Sequence, residues 1–431
     1  MKRGFYIIMA AQFFSSLADN ALLIAAIALL AELSGPAWMT PLLKFFFTVS
    51  YVVLAPFVGA FADSRQKGYV MFITNTVKIV GCLLMLFNDY LQAPGVPGYT
   101  SVLVAYAVVG LGAAAYSPAK YGILTELLPP KQLVVANGWI EGLTVTSIIL
   151  GVLLGGALIS PRISGVLLSV DLPRIDTCVD TPAEAAIVVI GFIYVIAAIF
   201  NLFIPDTGAR YRPQHVHPVL LVREFWSCFN TLWRDKLGQI TLSVTTLFWG
   251  AGATLQFLVL RWAERHLGLA LSQGAVLQGV TAIGIALGAV LAARMVPLRK
   301  SLSVLPVGIA MGVAVMLMSI VSSMPVVYLL LVVVGALAGF FVVPMNALLQ
   351  HRGHVLLSAG HSIAVQNFNE NVSILLMLAL YSGMLASRLP VHAIIVMFGL
   401  FVSGTMLLVM RRHEYNQSRK DSLHLISDES A

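Results

Sequence analysis

Along most of this chain the apolar residues neither alternate with polar ones nor form a stripe at helical spacing. They run almost unbroken for about twenty residues, then stop at short polar or basic segments. About twenty residues is the length a helix needs to cross a hydrocarbon layer of ~30 Å. Lipid offers the backbone no hydrogen-bond partner, so long unalternating runs mean spanning helices and not the strands of a barrel. Twelve spans are predicted, near 5–30, 40–62, 69–88, 100–121, 134–160, 183–204, 239–262, 272–296, 302–321, 325–349, 359–386 and 390–410.

These spans divide the chain into an N-terminal six-helix bundle (1–204), a cytoplasmic linker (205–238), a C-terminal six-helix bundle (239–410) and a polar, disordered cytoplasmic tail (411–431). In the linker Val222, Phe225, Trp226, Phe229, Leu232 and Trp233 recur at helical spacing beside Arg223, Arg234 and Lys236, the pattern of an amphipathic helix tethering two bundles. The halves resemble each other. Gly112-Ala-Ala-Ala-Tyr-Ser-Pro118 in the fourth span matches Gly339-Phe-Phe-Val-Val-Pro344 in the tenth, each read as a helix ending at a proline before a basic inner loop. Parallel six-helix repeats of this kind, sharing a substrate site, are a transporter architecture.

Composition agrees. The chain of 431 residues is 59% hydrophobic and 10% charged, where a soluble chain carries about a quarter charged residues. A net charge of +7 raises the question of nucleic acid, but the basic residues lie in short loops, not on one face. With the N-terminus inside, eighteen of the 26 Lys and Arg fall in inner segments and five in outer loops, while Lys44, Lys78 and Lys120 lie within spans. That is the positive-inside bias expected of an even helix number with both termini cytoplasmic. Lys2 and Arg3 precede a first run too long for a signal peptide, read here as a retained helix. Cys82, Cys178 and Cys228 share no metal or disulfide spacing, and neither a metal nor a cofactor is expected. Glycine pairs such as Gly151/Gly155, Gly284/Gly288, Gly308/Gly312 and Gly335/Gly339 mark close helix packing. No Gly-Lys-Ser/Thr phosphate loop occurs, which excludes an ATP-driven pump for this chain alone.

Polar side chains at bilayer depth carry the functional signal, since each charge there costs at least ~2.5–3.5 kcal/mol. In the first span Gln12, Ser15, Ser16, Asp19 and Asn20 share roughly one face, and Lys78 in the third could partner an acid. In the seventh, Thr245, Trp249, Gly252 and Gln256 share a face; in the eleventh, Gln366, Asn367, Asn369, Glu370 and Asn371 crowd six positions. Tyr116 and Lys120 near Pro118 and Asn346 near Pro344 complete the set. The loop from Gly59 to Gly68 carries Asp63, Arg65 and Lys67, an acid at a helix end with bases nearby, suited to latching neighbouring helices as a gate.

That loop is similar to the signature loop of the major facilitator superfamily. Ala18-Asp-Asn-Ala21, Ala55-Pro-Phe-Val-Gly59, Tyr116-Ser-Pro-Ala-Lys-Tyr-Gly122, Phe248-Trp-Gly-Ala-Gly252, Phe340-Phe-Val-Val-Pro344 with Asn346, and Ala364-Val-Gln-Asn367 together resemble the bacterial lysophospholipid transporter family. The resemblance runs from about Gln12 to the end of the twelfth span. It implies a monomeric protein of the bacterial inner membrane that moves lysophosphatidylethanolamine and related one-chain lipids from the outer to the inner leaflet. Reacylation would then follow by a separate cytoplasmic acyltransferase. A one-chain lipid needs a polar cavity for its head, and the expectation is that Asp19, Asn20 and Gln366 take the headgroup, Asp19 facing its ammonium and Lys120 the phosphate. The chain departs from the family pattern at Gln256, where an arginine is expected.

Two rivals follow from the same residues. A drug or small-solute/proton antiporter of the same superfamily would share the fold, although Gly151-Val-Leu-Leu-Gly-Gly156 lacks the proline such proteins carry there. A membrane acyltransferase would need His and Asp separated by four residues, and none of the nine histidines has that spacing.

Overall fold

A computed structural model describes residues 3–35, 40–88, 97–169, 179–211, 217–269 and 271–419. The regular elements of the described residues are all helices: α1 (Arg3–Glu32), α2 (Thr40–Ser64), α3 (Lys67–Leu86), α4 (Tyr99–Leu127), α5 (Pro130–Ile159), α6 (Pro161–Leu168), α7 (Pro182–Leu202), α8 (Pro218–Arg234), α9 (Gly238–Arg265), α10 (Leu271–Met295), α11 (Leu305–Leu317), α12 (Met324–Leu356), α13 (Ala359–Ala386) and α14 (Val391–Arg419). A 3₁₀ segment, Leu298–Val304, leads into α11. Twelve of these helices are long and apolar enough to cross a bilayer, α11 counted with its 3₁₀ lead-in. Cys178 lies outside the described residues.

Local sequence sets several boundaries. Thr181 accepts from the Glu184 amide while Glu184 bonds back to the Thr181 amide, a capping box that starts α7 and accounts for a buried acid there. Ser358 starts α13 in a similar way, accepting from the His361 amide. Several boundaries differ from those predicted. Pro118 and Pro344 do not end their helices: α4 continues to Leu127 and α12 to Leu356, because buried neighbours in a membrane protein tolerate the lost amide bond. The twelfth span does not give way to a disordered tail at 411. It continues to Arg419, held by Arg412 on the Gln239 side chain at 3.0 Å and by Asn416 with Lys236. The short α6 was not expected, and the linker helix begins earlier than the aromatic stripe suggested.

The chain forms two compact units: Met1–Ile123 with Thr146–Leu221, and Leu124–Val145 with Val222–Ala431. In the first, α7 packs on both α1 and α3 around Leu22, Leu29, Met85 and Tyr194. In the second, α14 packs on α9 and α11 around Leu258, Trp262, Met318 and Phe398. Counted as spans, the sixth meets the first and third while the twelfth meets the seventh and ninth, so the repeat visible in sequence recurs in the pairing. Small residues make the closest approaches. A Cβ at Gly288 of α10 would strike the Ala336 carbonyl, and one at Gly339 of α12 the Ile285 carbonyl, so these two backbones touch only because both positions are glycine.

Helix α8 turns Phe225 and Leu232 inward. Phe225, Trp226 and Phe229 surround the Phe368 ring of α13 with centroids 5.4–6.1 Å away, while Arg223 and Arg234 stay exposed. At the α8–α9 junction Asp235 caps the Gly238 amide and accepts from Arg352 of α12 at 2.6 and 3.1 Å. Removing one partner of a buried pair like this costs ~3–5 kcal/mol.

Candidate functional sites

Polarity inside the first unit converges on one carboxylate. Asp19 sits midway along α1, where both of its oxygens accept from Lys78 Nζ of α3 at 2.8 Å. Tyr194 Oη of α7 donates to Asp19 Oδ1 at 2.6 Å. The ammonium makes its third bond to Ser15 Oγ at 3.0 Å, and that hydroxyl in turn donates to Asn75 at 2.8 Å. Lys78 Nζ also lies 5.0 Å from the Tyr116 ring centroid and 5.5 Å from that of Tyr194, within cation–π range. The Lys78 stem is fixed from behind, because α4 approaches at Gly112, where any Cβ would meet Lys78 Cγ at 2.8 Å. The two charges are unequally reachable: the Lys78 side chain is 1% exposed and that of Asp19 21%. A saturated cation thus backs a carboxylate with one open edge.

The second unit holds a chain of amides. Asn137 of α5 and Gln350 of α12 exchange two bonds at 2.9 Å, both side chains buried. One turn along each helix, Asn346 donates to Glu141 at 3.4 Å and accepts from Gln366 of α13 at 3.1 Å. Gln366 spends its second N–H on Glu370 at 2.7 Å. The Glu370 carboxylate is buried, and no basic side chain comes within 4 Å of it among the described residues.

The expected residues therefore separate. Asp19 and Tyr116 meet in the first unit, and Asn346, Gln366 and Glu370 in the second. Asn20 turns back to donate to the Ser16 carbonyl at 2.8 Å and packs beside Gly151. Lys120 lies one turn beyond Tyr116 with its ammonium 4.2 Å from the Tyr121 ring centroid. Asn367 accepts at its carbonyl from Asn371, and Gln256 is exposed, its carbonyl accepting from Gln278. Of the gate residues, Lys67 bonds Asp63 at 2.5 Å and the Ala62 carbonyl at 2.9 Å, fully buried, and its ammonium stands 4.9 Å from the Tyr211 ring. Arg65 points away, exposed, over the Tyr69 ring. Outside the spans, Asp206 accepts from Arg210, Gln66 and the Gly208 amide, and the Arg210 guanidinium holds its carboxyl below the usual carboxylate range.

Glu141, Asn137, Gln350, Asn75 and Tyr194 went unmarked among the sequence-derived site residues. Glu141 had a signal, since it is an acid at bilayer depth in a predicted span. Tyr194 had none, because a lone tyrosine in an apolar run is unremarkable.

Residues 8–376 match the family model described as Major Facilitator Superfamily. The lysophospholipid transporter LplT of Yersinia enterocolitica is 42% identical over 394 residues, 91% of this chain and 90% of that protein. The protein of the same name from Yersinia pestis is 41% identical over 395 residues, again 91% and 90%. Among solved structures, an outward-facing bacterial homologue of the iron transporter ferroportin aligns with TM-score 0.71 at 15% identity, over 97% of this chain and 100% of that one. The Escherichia coli fucose:proton symporter FucP aligns with TM-score 0.72 at 12% identity, over 96% and 98%. At these identities the structural likeness speaks for the fold.

Proposed function

The chain belongs to the Major Facilitator Superfamily and, within it, to the lysophospholipid transporters, and from that premise we propose that it moves lysophospholipids such as lysophosphatidylethanolamine from the outer to the inner leaflet of the bacterial inner membrane. The observation that carries this reading is the open edge of Asp19 at bilayer depth, backed by a buried cation and two tyrosines.

A lysophospholipid has a charged headgroup that must be solvated throughout the crossing, and a single acyl chain that can remain against apolar surface. The Asp19 edge takes the headgroup ammonium, as a charge-assisted hydrogen bond from N–H to carboxylate. Lys120, one turn beyond Tyr116 on α4, takes the phosphate, and Tyr116 is a further contact. Asn20 follows Asp19 on the same helix, and Gln256 is a further candidate contact in the second unit. Within the second unit, Asn346, Gln366, Asn367 and Glu370 are candidate polar contacts for glycerol and ester groups. Asp63 and Lys67, with Arg65 at the surface, act as the gate element between α2 and α3. The functional halves are 1–204 and 239–410, joined by 205–238, with both termini cytoplasmic. The protein works as a monomer and hands its product to a separate cytoplasmic acyltransferase.

One observation favours a second reading, the drug or small-solute/proton antiporter: a buried acid without a cationic partner, Glu370, is what a proton carrier needs. Uptake of radiolabelled lysophosphatidylethanolamine into spheroplasts lacking their own lysolipid transporter separates the two. Labelled diacyl lipid appearing only with this protein, and undiminished by a protonophore, supports the flippase. No protein-dependent uptake, with the protein present in the membrane, removes the lipid substrate and promotes the antiporter.

A further inference from the structure

Lys78 is a membrane-embedded cation of the first unit whose hydrogen bonds lie inside the Asp19 cluster, and nothing in the transport of a lipid requires it to touch the substrate. Its three N–H donors are spent on Asp19 Oδ1, Asp19 Oδ2 and Ser15 Oγ, two tyrosine rings flank it, and its stem is pinned against Gly112. It is 1% exposed. A group this saturated and enclosed does not leave to bind a ligand. What it does is act on Asp19: the bidentate bond fixes the plane of the carboxylate, and its charge cancels the carboxylate's when viewed from outside the cluster.

Resting on the lysophospholipid reading above, we propose that Lys78 is a positioning and specificity-determining residue, which renders the Asp19 edge net neutral and thereby sets how strongly the site prefers a headgroup carrying an ammonium over one carrying none. Without the Lys78 charge, the same carboxylate edge would attract an ammonium more strongly and repel an anionic headgroup. A second charge standing behind Asp19, roughly 6 Å from a bound headgroup in a partly wet site, changes an interaction by about tenfold. Tighter holding of the ammonium also slows release, since an interaction made equally before and during the crossing lowers KM without raising the rate.

The test is uptake kinetics for two substrates, radiolabelled lysophosphatidylethanolamine and the ammonium-free lysophosphatidylglycerol, with the full-length protein in proteoliposomes and albumin back-extraction as readout. Lys78→Gln keeps a hydrogen bond to Asp19 while removing the charge. The expected result is a KM about tenfold lower for lysophosphatidylethanolamine, with a lower maximal rate, and a KM about tenfold higher for lysophosphatidylglycerol. Lys78→Arg, which restores the charge, returns the preference toward that of the native protein. A residue that merely supports the fold would depress both substrates alike, and equal losses for the two would overturn the proposal. If Lys78→Gln fails to accumulate, Asp19→Asn is compared with the double variant Asp19→Asn/Lys78→Gln: removing the Lys78 charge in that background must raise the preference for the ethanolamine lipid, and an unchanged preference overturns the proposal too. Native protein that moves neither lysolipid defeats the substrate reading itself, and this inference falls with it.

Discussion

The two units solve the problem of buried polarity differently. In the first, Asp19 meets one full countercharge, and every further contact, from Ser15, Tyr116 and Tyr194, serves that pair. In the second, Glu141, Asn346, Gln366 and Glu370 are strung together by amides, Asn346 both donating and accepting and Gln366 donating twice. An ion pair in a medium of low dielectric is strong but stationary, and losing either member leaves an uncompensated charge. A neutral hydrogen bond is worth only ~0.5–1.5 kcal/mol net, so an amide chain can exchange partners at small cost. The first unit is thus built to present a fixed charge, and the second to accommodate.

Breaking the ion pair should have the largest effect. Asp19→Ala or Lys78→Ala alone is expected to cost about 3–5 kcal/mol of stability, measured by denaturant or thermal unfolding in detergent, while the double variant recovers part of the loss because no lone charge remains. Equal and additive losses would mean the pair is screened by water and the contrast between the units is false. Next come the amides. Gln366→Ala or Asn346→Ala each leaves buried partners unmet, an expected ~1–3 kcal/mol, and together they should lose less than their sum because they share one bond. The reciprocal pair sharpens this further: a double-mutant cycle on Asn137 and Gln350 should give a coupling of roughly 0.5–3 kcal/mol. A coupling near zero would show that the two amides are solvated in membranes.

The smallest effect belongs to Asp206, exposed and outside the spans. Its carboxyl is held below the usual range by Arg210, so any stability it adds is present above the ordinary carboxylate pKa and lost only as pH falls through its lowered folded value. Because the pair is exposed that contribution is small, so Asp206→Asn should leave the melting temperature nearly unchanged at neutral pH, and a clear drop there would show that this pair contributes more than exposed pairs do.

Sequence alone carried the twelve spans, the two-fold repeat and the residues at bilayer depth, because a charge among twenty apolar residues stands out without any partner in view. It could not carry the partnering. Asp19 and Lys78 lie 59 positions apart, and Asn137 and Gln350 213 apart, and which helices bring them together is decided by small-residue contacts such as Gly112 on Lys78 and Gly151 beside Asn20. Nor do neighbours in sequence share partners: Asn20 follows Asp19 but donates back along its own helix. Proline misled as well, since its stop signal holds in water and lapses inside a packed membrane helix.

The most direct measurement is the initial rate of lysophosphatidylethanolamine uptake by native protein and by Asp19→Asn, at equal protein levels in the membrane. The side chain of asparagine fills the same space and retains one acceptor for Tyr194, so the loss reports the charge. The account predicts a fall of a hundredfold or more, as ~3 kcal/mol added to the transport barrier would give. Uptake by Asp19→Asn at the native rate would contradict it, leaving the fold and moving the headgroup site away from the first unit.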